Sequence, residues 1–164
     1  MPQNFLSKTE REALAPALRL ACSGRPRPEG EAVEFVLVVN PRSIVAVKQG
    51  RQRAALVLDV SRVFFVGDRL RFVRGDAFLG AAAPRLCRDA VVKSFEVACL
   101  MPDAVCTSAP CGSLLAIMGS RTIWFEGQRA DHWARALGFK SYADCKACVV
   151  QERLLPTDGY VIRW

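Results

Sequence analysis

Read for the spacing of its apolar and polar positions, the chain breaks into short segments. Residues 7–22, SKTEREALAPALRLAC, put Leu14, Leu18 and Cys22 on one helical face behind a capping box of Ser7 with Glu10. Pro16 should weaken or kink this helix, because it lacks the N–H that the turn would use. SGRPRPEGE, residues 23–31, has the Pro, Gly and alternating charge of a linker. The chain therefore divides into an N-terminal helix with linker, residues 1–31, and a main domain, residues 32–164. AVEFVLVVN reads as a buried strand, and PRSIVAVKQ as a short helix with Pro41 in its first turn. Gly50 stands where helices commonly end on a left-handed residue. AALVLDV and RVFFV look like strands. VGDRLRFVR looks like a tight turn into a strand, with Leu70 and Phe72 facing one way and Arg69 and Arg71 the other.

DAVVKSFEVACLM reads as another strand, and SLLAIMG and RTIWFEG are two further candidates. ADHWARALG is a helix ending on Gly138, KSYADCKACVVQERL follows with Ser141 as N-cap, and GYVIRW closes as a strand. Many short strands with one helix early and helices late predict an α+β fold. The architecture expected is a small, partly open β-barrel of mixed short strands closed by helices, with the extra N-terminal helix outside it.

Composition narrows the function classes. At 164 residues the chain is long enough to bury a core, and half of it is apolar, as in ordinary globular domains. No apolar run approaches the roughly 18 residues of a membrane span, and the polar start MPQNFLSKTERE lacks the apolar heart of a signal peptide. The expectation is a cytoplasmic protein with no membrane partner. A net charge of +7, mostly from arginine, attracts phosphates. It is equally the charge of a basic, solvated surface. Seven cysteines, an odd number, argue against a disulfide framework and for buried thiols.

Four segments, in order, resemble the ASCH domain family of the PUA-like superfamily. NPRSIVAVKQGRQ is similar to its opening helix and Gly-x-Lys corner, and FFVGDRLRFV to its turn and strand. ARALGFKSYADC is similar to its helix junction, and GYVIRW to its closing strand. The resemblance covers roughly residues 35–164 and implies a PUA-like barrel whose cleft, lined by the corner, meets RNA or modified nucleosides. One subgroup, amidohydrolases of N4-acetylcytidine, uses a Lys from the corner, a Thr three residues later and a Glu near the late helix junction. Here Gln52, Ala55 and Leu137 stand at those positions, and Val57 replaces the Arg that usually ends the corner motif. Gln has no titratable proton and Ala no nucleophile, so the family's hydrolysis is not expected. A one-residue shift would bring Arg51 or Arg53 to the Lys position, and neither titrates near neutral pH.

The favoured expectation is thus a non-catalytic ASCH-like module that binds RNA, a nucleotide or a modified base through an Arg-rich cleft at the Gly50 corner, with no cofactor. Arg42, Lys48, Arg51 and Arg53 surround the corner, with Arg69, Arg71 and Arg74 on the later strand. Their planar forks suit phosphate, and a solvated barrel wall is the bland alternative. Gln52 and Asp68 are candidates for a ligand's polar edge. Two other readings stay open: a divergent amidohydrolase acting on acylated cytidine, and a protein-interaction adaptor docking through the N-terminal helix. Cys145 and Cys148, in CKAC, with Cys106 and Cys111, in CTSAPC, have nearly the hooks of a zinc site, although the second hook is one residue too long. Buried thiols sharing a helix face explain the first pair equally well. His132, beside Asp131, is the sole histidine, with no nucleophile motif near it. Trp124, Phe125, Trp133, Phe139, Tyr142 and Trp164 offer either a stacking surface or core.

Overall fold

The computed structural model describes residues 6–28, 30–74, 84–106, 114, 124–152 and 155–164, and its fold is mixed α and β. Helix α1 (Lys8–Cys22) starts on the expected capping box, with the Ser7 hydroxyl accepting from Glu10 N–H and the Glu10 carboxylate accepting from Ser7 N–H. Pro16 does not end it. The residue lies on the exposed side, while Ala15, Leu18 and Ala21 bury the opposite face. Strand β1 (Glu34–Val39) leads through a 3-10 turn (Pro41–Ser43) into the short helix α2 (Ile44–Lys48) and then β2 (Ala54–Val57). Strands β3 (Arg69–Arg74), β4 (Ala90–Val91), β5 (Ser94–Leu100), β6 (Ala104–Cys106) and β7 (Trp124–Glu126) follow. Helices α3 (Gln128–Ala136) and α4 (Tyr142–Glu152) then lead to β8 (Thr157–Arg163).

The strands form two sheets and, among the described residues, no closed barrel. One has the order β1-β3-β4, with β1 parallel to β3 and Val36 opposite Arg71. The other has the order β2-β8-β5-β6-β7 and is antiparallel throughout. RVFFV is not a strand but an irregular run that sends the adjacent Phe64 and Phe65 into one core, whereas a strand would point them to opposite faces. AALVLDV is a strand only as far as Val57. Of the two later candidates, RTIWFEG supplies β7, and SLLAIMG lies outside the described residues except for the buried Leu114.

The five-stranded sheet is covered on both faces. Phe95, Val97 and Cys99 of β5, with Tyr160 and Ile162 of β8, pack towards Phe64, Leu70, Phe72 and Leu18. Their neighbours Ala98, Leu100 and Val161 face Ala130, Trp133, Ala134, Tyr142, Cys145 and Val149 of the late helices. This alternation explains why β8 is buried along nearly its whole length. No helix among the described residues is long and apolar enough to cross a membrane.

The N-terminal segment shares this core. Leu18 is fully buried, and the Arg11 guanidinium donates to Asp158 of β8 at 3.0 Å. Past α1, Arg27 grips Asp68 through two bonds of 2.9 Å and lies over the rings of Phe35 and Phe65. Residues 1–31 were expected to be a helix and linker outside the barrel, free to dock a partner. In the structure the inner face of α1 and Arg27 are built into the packing, while the outer face of α1 and the other described residues of 23–31 are exposed.

Candidate functional site

A cleft of about 760 Å³ opens where the two sheets fail to meet. Val36 to Val39 of β1 form one wall, and Ala55 to Leu58, from β2 onwards, form the other. The α2 corner closes one side with Asn40, Arg42, Ser43, Val47 and Gln52. The junction of α3 and α4 closes another, with Leu137, Gly138, Phe139, Cys148 and Val149. Trp164 stands against Phe72 with ring centres 5.0 Å apart, and Asp59 and Arg62 complete the rim. The lining is mostly apolar with a few convergent polar groups, the usual character of a small-ligand site.

The corner is held by its own backbone. Asn40 accepts from Arg42 N–H through its side chain, and Gly50, at φ +69°, stops α2. Arg51 and Gln52 then both donate their N–H groups to the carbonyl of Ala46, at 2.9 and 3.1 Å. This turn aims Gln52 across the cleft. Its amide nitrogen donates to the carbonyls of Ala54, at 3.1 Å, and Leu137, at 3.2 Å. Two carbonyl neighbours fix which end of the amide is the nitrogen, so Oε1 is the end set over Gly138. Gly138 stops α3 at φ +89°, and Asp131 then accepts from Tyr142 N–H at 2.9 Å to start α4.

The charged groups of the cleft are tethered lightly. Arg42 is 4.8 Å above the Phe139 ring and donates to Asp144 at 3.0 Å, with both side chains about a third exposed. Such a pair contributes at most about 1 kcal/mol, so an incoming anion can compete for the guanidinium. Arg62 is held more loosely, 3.7 Å from Asp59 and 3.5 Å from the Val36 carbonyl oxygen. Cys148 is the partly exposed thiol of the wall, whereas Cys145, one turn back, is fully buried. Burial first, then Cys148 and Asp144, pushes the Cys145 thiol up to about 12, so it stays protonated.

The residues expected to form one basic site are dispersed. Arg42 and Gln52 line the cleft; Lys48, Gly50, Arg51 and Arg53 do not. Lys48, Arg51 and Arg53 are exposed around the outside of the corner, where Arg51 donates to Gln49 and Arg53 to the Gly50 carbonyl. Arg69, Arg71 and Arg74 lie on β3, beyond β1 and away from the cleft lining. Asp68 is not available to a ligand. It is 1% exposed and accepts from Arg27, Val33 N–H and Phe65 N–H. Arg62 and Gly138 are among the lining residues that had no ligand role in the sequence reading, and Cys148 figured there only in the zinc alternative. Only the glycine carries a local signal, as a helix stop.

Cys111 lies outside the described residues, while the Cys106 backbone is in β6 and Cys145 and Cys148 are in α4. The described residues contain no group of three or more potential metal ligands. His132 is exposed on α3 and does not line the cleft. Trp133 and Tyr142 are core, whereas Phe139 and Trp164 face the cleft. Searches for similar proteins return no match to the chain among family models, curated proteins or solved structures.

Proposed function

We propose that this protein is a non-catalytic, ASCH-like binding module of the PUA-like kind, whose cleft takes a nucleotide or modified base, alone or as part of RNA. One observation carries the reading. Gln52, Ala55 and Leu137, the positions where the resemblance would put Lys, Thr and Glu, all line this single cleft. A planar base fits between the apolar walls, with Gln52 Oε1 accepting from a ring or amino N–H and Phe139 and Trp164 offering faces for stacking. Arg42 can leave Asp144 for a phosphate. Lys48, Arg51 and Arg53, outside the corner, would meet the backbone of a longer RNA. A hydrolytic role has less support, because the described residues of the walls carry no paired base and nucleophile.

The test has two readouts. Nucleoside monophosphates filling the cleft should protect Cys148 from a thiol reagent. Binding of single-stranded RNA should weaken with salt, and the Arg51→Ala, Arg53→Ala double variant should flatten the log–log slope by about 1.4 for two lost phosphate contacts. Unprotected Cys148 together with unchanged RNA affinity in the double variant would sink the reading. Turnover of acylated cytidine would replace it with the amidohydrolase alternative.

A further inference from the structure

We propose that the cleft also accepts an extended segment of a partner polypeptide, added as a β-strand between the open edges of β1 and β2. This goes beyond the base-binding reading, because it uses the strand edges along the cleft rather than the polar corner. Backbone direction alternates along a strand, so one observed bond settles the rest. The Val33 carbonyl accepts from Arg69 N–H of β3, which turns residues 33, 35, 37 and 39 towards that neighbour. Glu34, Val36 and Val38 therefore turn their N–H and C=O groups the other way. The bond from Arg62 to the Val36 carbonyl agrees with this. On the opposite wall the Arg53 carbonyl accepts from Trp164 N–H of the closing segment, and the Ala54 carbonyl accepts from the Gln52 side chain. Leu56 thus turns its backbone groups away from β8. Val36, Val38 and Leu56 all line the cleft, and among the described residues neither β1 nor β2 has a second strand neighbour.

Two unpaired ladder edges facing one cavity call for an occupant with backbone donors and acceptors on both sides at strand spacing. An extended peptide has these, whereas a single base lacks donors and acceptors repeated at strand spacing. The lining of each wall corresponds to about four strand residues, roughly 13 Å at ~3.3 Å per residue. Natural sheets usually blunt an edge with proline, charge or a bulge, yet EFVLVV continues apolar to its end, with Val38 56% exposed. Arg62 covers this edge, and its bonds at 3.5 and 3.7 Å are the loosest polar contacts in the cleft. On strand entry it can release the Val36 carbonyl and take an acidic side chain of the peptide. The net charge of +7 favours the same partner chemistry: alternating apolar side chains with an acidic residue.

The experiment titrates the full chain with fluorescein-labelled, terminally blocked hexapeptides of alternating valine and threonine, carrying one aspartate at successive positions. Anisotropy reports binding, and amide hydrogen exchange reports its place. The expected result is binding of at least one peptide, with exchange at Val36, Val38 and Leu56 slowed at least about tenfold. N-methylating either alternate set of peptide amides should abolish it, because both edges are used. Val38→Pro removes an N–H that does not serve β3, and should weaken binding about tenfold without lowering the thermal midpoint. Arg62→Ala should erase the preference for where the aspartate stands. No binding by any peptide at millimolar concentration overturns the proposal. So does binding that leaves those three amides unprotected in the unaltered chain. If a nucleoside monophosphate protects Cys148 while every peptide fails, the base-binding reading stands and this one falls.

Discussion

Gly138 carries two constraints at once. Its φ of +89° is costly for any residue with a side chain, and an added Cβ would clash with Gln52 Oε1. Gln52 can yield only by giving up its bonds to Ala54 and Leu137, so backbone strain and amide disruption are coupled. Gly138→Ala should cost about 1–3 kcal/mol and Gln52→Ala about 1–2 kcal/mol. The double variant should lose less than the sum, since the second change removes the clash with the first. Urea denaturation of all four proteins measures this. Additivity to within about 0.5 kcal/mol would show that the two residues do not interact. At this scale the sequence was legible only where function follows from a local rule. The glycine stops at 50 and 138 were readable. The fate of Asp68 was not, because Arg27 and the Val33 N–H, distant in sequence, decide that its carboxylate is consumed inside the fold.

Among the elements, α1 shows how a segment that looks detachable can become integral. Its capping box and helical spacing were readable, and the face it buries is close to the one expected. What could not be read is the complement, since Asp158 lies on β8, at the opposite end of the chain. Burial pushes the Asp158 carboxyl up, while Arg11 and the Leu114 N–H act to bring it down. A raised folded-state pKa means that the native chain holds the proton more tightly than the unfolded chain does. The ionised carboxylate therefore weighs against folding near neutral pH, and that effect fades as pH falls through its folded pKa. Arg11→Ala removes the compensating charge, so its destabilisation should be largest near neutral pH and smaller at about pH 4. Denaturation midpoints across this range check it. An equal loss at both ends would mean that Arg11 acts through packing alone.

For the whole molecule, local patterning set out the α+β class and most strands, and the assembly depended on contacts no window of sequence contains. Alternation placed Leu70 and Phe72 inward, as found, and Arg69 and Arg71 outward, where Arg69 is exposed and Arg71 half-buried. It said nothing of which edges would stay open, so the basic cluster was drawn on a partly open barrel with the corner and β3 side by side. In the structure the separation of β1 and β2 gives the cleft Arg42 and Arg62 while leaving Arg69, Arg71 and Arg74 elsewhere. RVFFV failed as a strand because two adjacent phenylalanines had to enter one core. Arg27→Ala tests the unity of this packing, since it leaves a carboxylate buried without its partner and should cost about 3–5 kcal/mol. Trp133 reports on the core under the late helices, and Trp164, beside Phe72, on the other. Their fluorescence changes should coincide with loss of far-ultraviolet ellipticity in the variant and the parent. Separate transitions would mean that the two cores unfold independently.

Strand β8, described above as buried on both faces, has a consequence for the order in which this chain acquires its structure. It pairs with β2 on one side and β5 on the other, and it supplies Tyr160 and Ile162 to one core and Val161 to the other. Until residues 157–163 arrive, β2 and β5 have no strand between them, and neither apolar layer is filled. A growing chain must therefore keep much of its apolar surface waiting through a long delay in synthesis. Long-range closure of this kind slows folding and prolongs exposure to unwanted association. The cell's chaperones would meet this protein mainly in that interval, before its central strand is in place.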